Sequence, residues 1–81
     1  MFYLYIDEVL ISQSKNFSEI ITSIFNFYNK SVKLSPKNIV SFSQEIQNLL
    51  FGSLHGLILH QYDYFKYLDH EVQLYYGFEK S

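Results

Sequence analysis

Leu34-Ser35-Pro36-Lys37 sets a serine and a proline directly ahead of a long apolar series. Ser35 suits an N-cap, and Pro36 suits the first helical position, where a missing N–H has no intrahelical partner to lose. Behind them Ile39, Phe42, Ile46, Leu49, Leu50, Ser53, Leu54, Leu57 and Ile58 recur at steps of three and four residues. The spacing predicts one long helix over 36–61, whose broad apolar face must be buried against other elements.

Upstream, Asn16 followed by Glu19 reads as a capping box, and Ile20, Ile21, Ile24, Phe25, Phe27 and Tyr28 continue with helical spacing. A second helix over 17–30 follows, and the polar segment 29–35 is short enough to make the two helices antiparallel neighbours. The ends are more ambiguous. Phe2, Ile6, Val9 and Leu10 form a helical series, whereas Phe2, Leu4 and Ile6 alternate with Tyr3 and Tyr5 as a strand would, and the aromatic content suits a strand. A helix over 2–13 is preferred, because a lone strand would leave backbone groups unpaired. Tyr62, Phe65, Leu68, Val72 and Tyr75 or Tyr76 share one helical face, with Asp63 or Asp69 as a cap and Gly77 as a stop. The expected architecture is all-α: a single domain, 1–81, of about four helices (2–13, 17–30, 36–61, 64–76).

Composition bears on where the apolar residues go. The chain has 81 residues, 48% of them hydrophobic, with eight tyrosines and eight phenylalanines. A domain of this size hides only about 60–65% of the surface its unfolded chain exposes, so part of that load stays outside, where apolar patches mark partners or ligands. Cysteine is absent, which removes disulfides and thiolate metal sites. The net charge is −2 and every basic residue is lysine, so no direct nucleic-acid contact is expected. Residues 46–62 carry no charge, but the nearly non-polar part, 49–59, spans about 16 Å as a helix against a bilayer core of about 30 Å. No membrane span is expected, and with Asp7 and Glu8 in place of a basic leader the location expected is cytoplasmic.

Gly52, Ser53 and Gly56 cut a bare stripe into the long helix, a device that lets another helix approach closely. It fits either an intramolecular crossing or a two-fold contact between copies, and the apolar surplus favours the second. The stretch Ile46-Gln-Asn-Leu-Leu-Phe-Gly-Ser-Leu-His-Gly-Leu-Ile-Leu-His60 resembles the long dimerisation helix in the C-terminal domain of TetR-family transcriptional regulators, with Gly56 at the recurrent glycine. The segment from Asn16 to Tyr28 similarly looks like an earlier helix of that domain, one that lines a ligand cavity. The resemblance implies a ligand-sensing, homodimerising domain. Its dimer interface would draw on Leu49, Gly52, Ser53, Gly56, Leu57, His60, Tyr64 and Leu68. A pocket for a small apolar or amphipathic molecule would be lined by Phe25, Phe27, Tyr28, Leu54, His55 and Ile58. The family's N-terminal helix-turn-helix unit has no counterpart in these residues.

Catalytic patterns are missing. His55 and His60 are five apart and do not face each other on a helix, His60 and Asp63 are three apart and could, and with His70 they give no convergent ligand set. Asp7-Glu8 and His70-Glu71 are adjacent rather than facing, no serine sits in a glycine-flanked elbow, and no glycine-rich phosphate loop exists. Neither enzyme activity nor a metal or cofactor is expected. Tyr62, Tyr64, Tyr67, Tyr75 and Tyr76 read as packing and interface residues. The alternative to a sensor is a stand-alone helical adaptor that binds another protein through this tyrosine-rich end.

Overall fold

The chain opens and closes with hairpins where helices were expected. The computed structural model describes residues 1–31 and 36–79, with side chains for 1–30 and 41–79. Strands β1 (Phe2–Ile6) and β2 (Val9–Ser14) are followed by helices α1 (Phe17–Ser31) and α2 (Pro36–His60), then by strands β3 (Tyr62–Tyr67) and β4 (His70–Tyr76). The four strands form one antiparallel sheet in the order β2-β1-β4-β3, with β1 and β4 paired at its centre from Phe2↔Tyr76 to Ile6↔Val72. The fold is therefore α+β, and the all-α bundle is corrected: neither 2–13 nor 64–76 is a helix.

The physical reason lies in the pairing. The strand alternation of Phe2, Leu4 and Ile6 is real, and β1 is not alone, because β4 arrives from the far end of the chain to pair with it. Both hairpins close through two-residue loops whose central residues have positive φ: Asp7 at 52° and Glu8 at 71°, Leu68 at 49° and Asp69 at 65°. Positive φ at both positions is what a type I′ turn requires, and its handedness matches the twist of the strands. Gly77, at φ 88°, stops β4 rather than a helix, and its N–H donates to the Met1 carbonyl at 2.9 Å.

The two helices form where the three-and-four spacing places them. At the start of α1 the Ser14 hydroxyl donates to Glu19 and accepts the Asn16 N–H at 3.0 Å, while the Glu19 N–H donates to the Asn16 carbonyl at 3.1 Å. Ser14 thus ties the Glu19 carboxylate to the Asn16 N–H just ahead of the first turn. Pro36 is the first residue of α2; the Ser35 cap and the Ile39 side chain lie outside the described residues. At the other end Gln61, at φ 62°, donates its N–H to the Leu57 carbonyl at 2.8 Å and turns the chain into β3.

Both helices lie on one face of the sheet. Leu4 and Ile6 of β1, Phe65 of β3 and Val72 and Leu74 of β4 meet Ile20, Ile24 and Tyr28 of α1 and Phe42, Ile46, Leu50 and Leu57 of α2 in a single core. Phe25 and Phe42 stack edge to face at 5.6 Å, while Phe17 and Ile21 lie beside Leu50 and Leu54, so the helices run antiparallel. Alternation sends Tyr3, Tyr5, Tyr62, Tyr64 and Tyr75 to the opposite face, away from α1 and α2. There the rings cover one another: Tyr75 meets Tyr5 at 5.7 Å, Tyr62 at 4.9 Å and Phe78 at 5.7 Å, and Tyr5 is left only 7% exposed. The hydroxyl edge of each ring suits a layer that is apolar below and wet above.

Candidate functional site: the uncovered flank of α2

Helix α2 presents two apolar stripes one residue out of step. Phe42, Ile46, Leu50, Ser53 and Leu57 point into the core and are buried. Phe51, Leu54 and Ile58, also spaced by three and four, lie on the neighbouring arc, and Leu59 lies beyond them. Here the sheet gives no cover: Phe51 is 71% exposed, Ile58 60% and Leu59 62%. Leu54 is half-buried, and with Phe17, Ile21, Gln47, Leu50 and Phe51 it lines an apolar cleft of about 50 Å³ between the two helices. His55, on the same outward side, is exposed. No charged side chain occurs between Glu45 and Asp63.

The residues expected to form a dimer ridge do not form one surface. Ser53 and Leu57 belong to the chain's own core, and Leu49 packs at its margin. Gly56 faces β3, where a Cβ would meet the Asp63 carboxyl at 3.4 Å, so the glycine lies at an intramolecular helix–strand contact. A Cβ at Gly52 would meet open space. His60 is exposed at the end of α2, Tyr64 stands on the outer face of the sheet and Leu68 at the tip of the β3–β4 turn.

The expected ligand pocket is likewise dispersed. Tyr28 is fully buried, and Phe25 and Phe27 pack against the core, whereas His55 and Ile58 face outward on the other helix. The cleft beside Leu54 holds about 50 Å³. Sites for small organic ligands measure roughly 300–1,000 Å³, so the cleft accommodates a side chain rather than a molecule. The TetR resemblance implied an all-α domain around a cavity, and a four-stranded sheet stands in its place.

A polar network, not evident from sequence spacing, gathers at the turn end of the sheet. Asp7 accepts from the Glu71 N–H at 3.0 Å and pairs with His70 Nδ1 at 2.5 Å, while its own N–H donates to the Glu71 carbonyl at 2.9 Å. Edges of Phe27 and Tyr28 approach the imidazole at 4.9 and 5.8 Å. The hydrogen bond to His70, then that from Glu71, holds the Asp7 carboxyl below its ordinary pKa. Nearby the Tyr28 hydroxyl donates to the Tyr67 carbonyl at 2.9 Å and the Tyr67 hydroxyl donates to Glu45. Burial pushes the Tyr28 phenol well above its usual range, and burial together with the Glu45 carboxylate pushes Tyr67 up to about 12. These contacts tie the two hairpins to each other and to both helices. The link between Asp7 and His70, 63 residues apart, left no signal in the spacing.

Among the described residues no group of three His, Asp or Glu side chains is placed to hold a metal ion, and no helix is long and apolar enough to cross a membrane. No protein-family model, curated protein or solved structure matches the chain.

Proposed function

We propose that the chain is a self-association module, and that two copies join through the flank of α2 carrying Phe51, Leu54, Ile58 and Leu59. The observation that carries this reading is the exposure of Phe51, Ile58 and Leu59, each at 60% or more, on an arc of helix without a single charge. Contiguous apolar surface of this kind is rare on a monomer and marks an interface. A second copy is the occupant that fits best. An uncharged stripe meets its own copy without like-charge repulsion and gives a foreign partner no charge to recognise. In an antiparallel two-fold pairing centred between Leu54 and His55, Phe51 of each copy falls opposite Ile58 of the other, the self-complementarity that a two-fold contact requires.

The sheet edges support the same choice. β2 is interrupted by a bulge where its register to β1 shifts between Leu4 and Tyr5, and β3 carries Lys66. Bulges and edge lysines are the devices by which sheets avoid edge-to-edge pairing. Sedimentation equilibrium from micromolar to hundreds of micromolar protein tests the reading. The unmodified chain is expected to show a reversible monomer–dimer equilibrium. Ile58→Lys and Phe51→Lys are each expected to weaken it at least tenfold, since each removes about 1.5–3 kcal/mol of apolar burial twice per dimer. A chain that remains monomeric throughout that range overturns the proposal.

A further inference from the structure

The apolar flank of α2 contains one group that can change its charge near neutral pH. His55 follows Phe51 by four residues and precedes Ile58 and Leu59 by three and four, so the three exposed apolar side chains surround its imidazole on the helix surface. The buried Ser53 and Leu57 stand two residues to either side, which turns His55 away from the core, and it is exposed. The antiparallel pairing argued above brings two such residues together. A two-fold axis between Leu54 and His55 sets His55 and the partner's His55 on the same side of the contact, only about 1.5 Å apart along the helix direction. Phe51 and the partner's Ile58 flank them.

We infer that self-association through this flank is switched by pH: the two-fold contact accepts His55 as a neutral imidazole, and protonation of His55 in both copies drives them apart. The inference rests on the self-association reading and adds its regulation. Imidazole is the side chain that gains its charge between pH 8 and 5. Two imidazolium ions side by side repel, and each also loses water against Phe51 and Ile58, so both effects oppose the charged pair. The surrounding charges stand elsewhere. From α1, Glu19 is held by the Ser14 hydroxyl on the β2 side and Lys30 lies beside Ile11. From β3, Asp63 approaches α2 at Gly56, about 100° round the helix from His55, while Tyr64 and Lys66 stand on the outer sheet face. Asp7 holds His70 and the Glu71 N–H at the turn end of the sheet. On α2 itself Glu45 accepts from the Tyr67 hydroxyl about 15 Å along the axis, and His60 lies about 140° round the helix from His55.

The test is sedimentation equilibrium of the full chain at pH 7.5 and pH 5.5 at one ionic strength, with circular dichroism at both. The dissociation constant of the unmodified chain is expected to rise at least tenfold at the lower pH, and by about a hundredfold if both protons of the dimer are taken up around the ordinary imidazole midpoint of about 6.5. The dichroism is expected to stay the same, because this window lies above the range in which Asp7 takes up its proton. His55→Gln is expected to lose the pH dependence, and His60→Gln to keep it. His55→Lys, charged at either pH, is expected to be monomeric at pH 7.5. A dimer whose dissociation constant changes less than tenfold, a His55→Gln chain that keeps the pH dependence, or a His60→Gln chain that loses it overturns the switch and leaves the self-association reading standing. A chain that is monomeric at pH 7.5 overturns both.

Discussion

Single residues carry strain and charge that can be read directly. Leu68 holds φ at +49° in the β3–β4 turn, a conformation that asparagine and glycine adopt far more readily than a branched apolar residue. Leu68→Asn is expected to stabilise the fold by about 0.5–1 kcal/mol, read as a higher midpoint of urea denaturation with an unchanged slope. Asp7 gives an acid signature. Its pKa is lowered in the folded chain from an ordinary 3.8, so its contribution is fully present above that value and is lost as pH falls through the lower folded one. Asp7→Asn is expected to flatten the acid limb of a stability–pH curve below about pH 4, a change that thermal melts at successive pH values report. Tyr67 gives the alkaline counterpart. Its phenol rises from 10.0 to about 12 in the folded chain, so its contribution holds below pH 10 and fades as pH climbs towards 12. Tyr67→Phe is expected to shift the alkaline unfolding limb upward, and an unchanged limb would contradict the assignment.

Elements differ in how far the sequence declares them. The helices are legible because a cap, a proline and a long three-and-four spacing all act within one segment. The hairpins are not, for two reasons that particular residues show. Asp7-Glu8 and Leu68-Asp69 occupy turns that usually announce themselves with Asn-Gly or Asp-Gly. The pairing that rescues β1 comes from Tyr76, at the far end of the chain, which no local window contains. The exposed flank of α2 was legible only as apolar content: Leu54 and Ile58 belong to the same broad series as Leu50 and Leu57, and periodicity does not say which arc the sheet will cover. Gly52 and Gly56 show the converse, since a bare stripe that suggests helix docking is, at Gly56, a contact with Asp63. Gly52→Ala and Gly56→Ala each place a Cβ in open space or ordinary contact. Each is expected to raise stability by up to about 1 kcal/mol through helix propensity and leave the association constant unchanged. Weaker association of either variant would move the interface onto the glycine stripe.

At the scale of the molecule, the chain hides the two faces of its sheet in two ways. One face lies beneath two antiparallel helices, and the other beneath tyrosines that pack on one another. Tyr75, which touches Tyr5, Tyr62 and Phe78, is the hub of that second layer, and Tyr75→Ala is expected to cost about 2 kcal/mol in chemical denaturation. What neither layer covers is the outer flank of α2, and the central claim is that a second copy covers it. The most direct measurement is an isotope-filtered NOE experiment on a mixture of ¹³C-labelled and unlabelled chains at high concentration. The account predicts intermolecular cross-peaks between the Phe51 ring and the Ile58 methyl groups. Cross-peaks that instead join Gly52 to Gly56, or β2 to β2, or no intermolecular peaks at all, would contradict it.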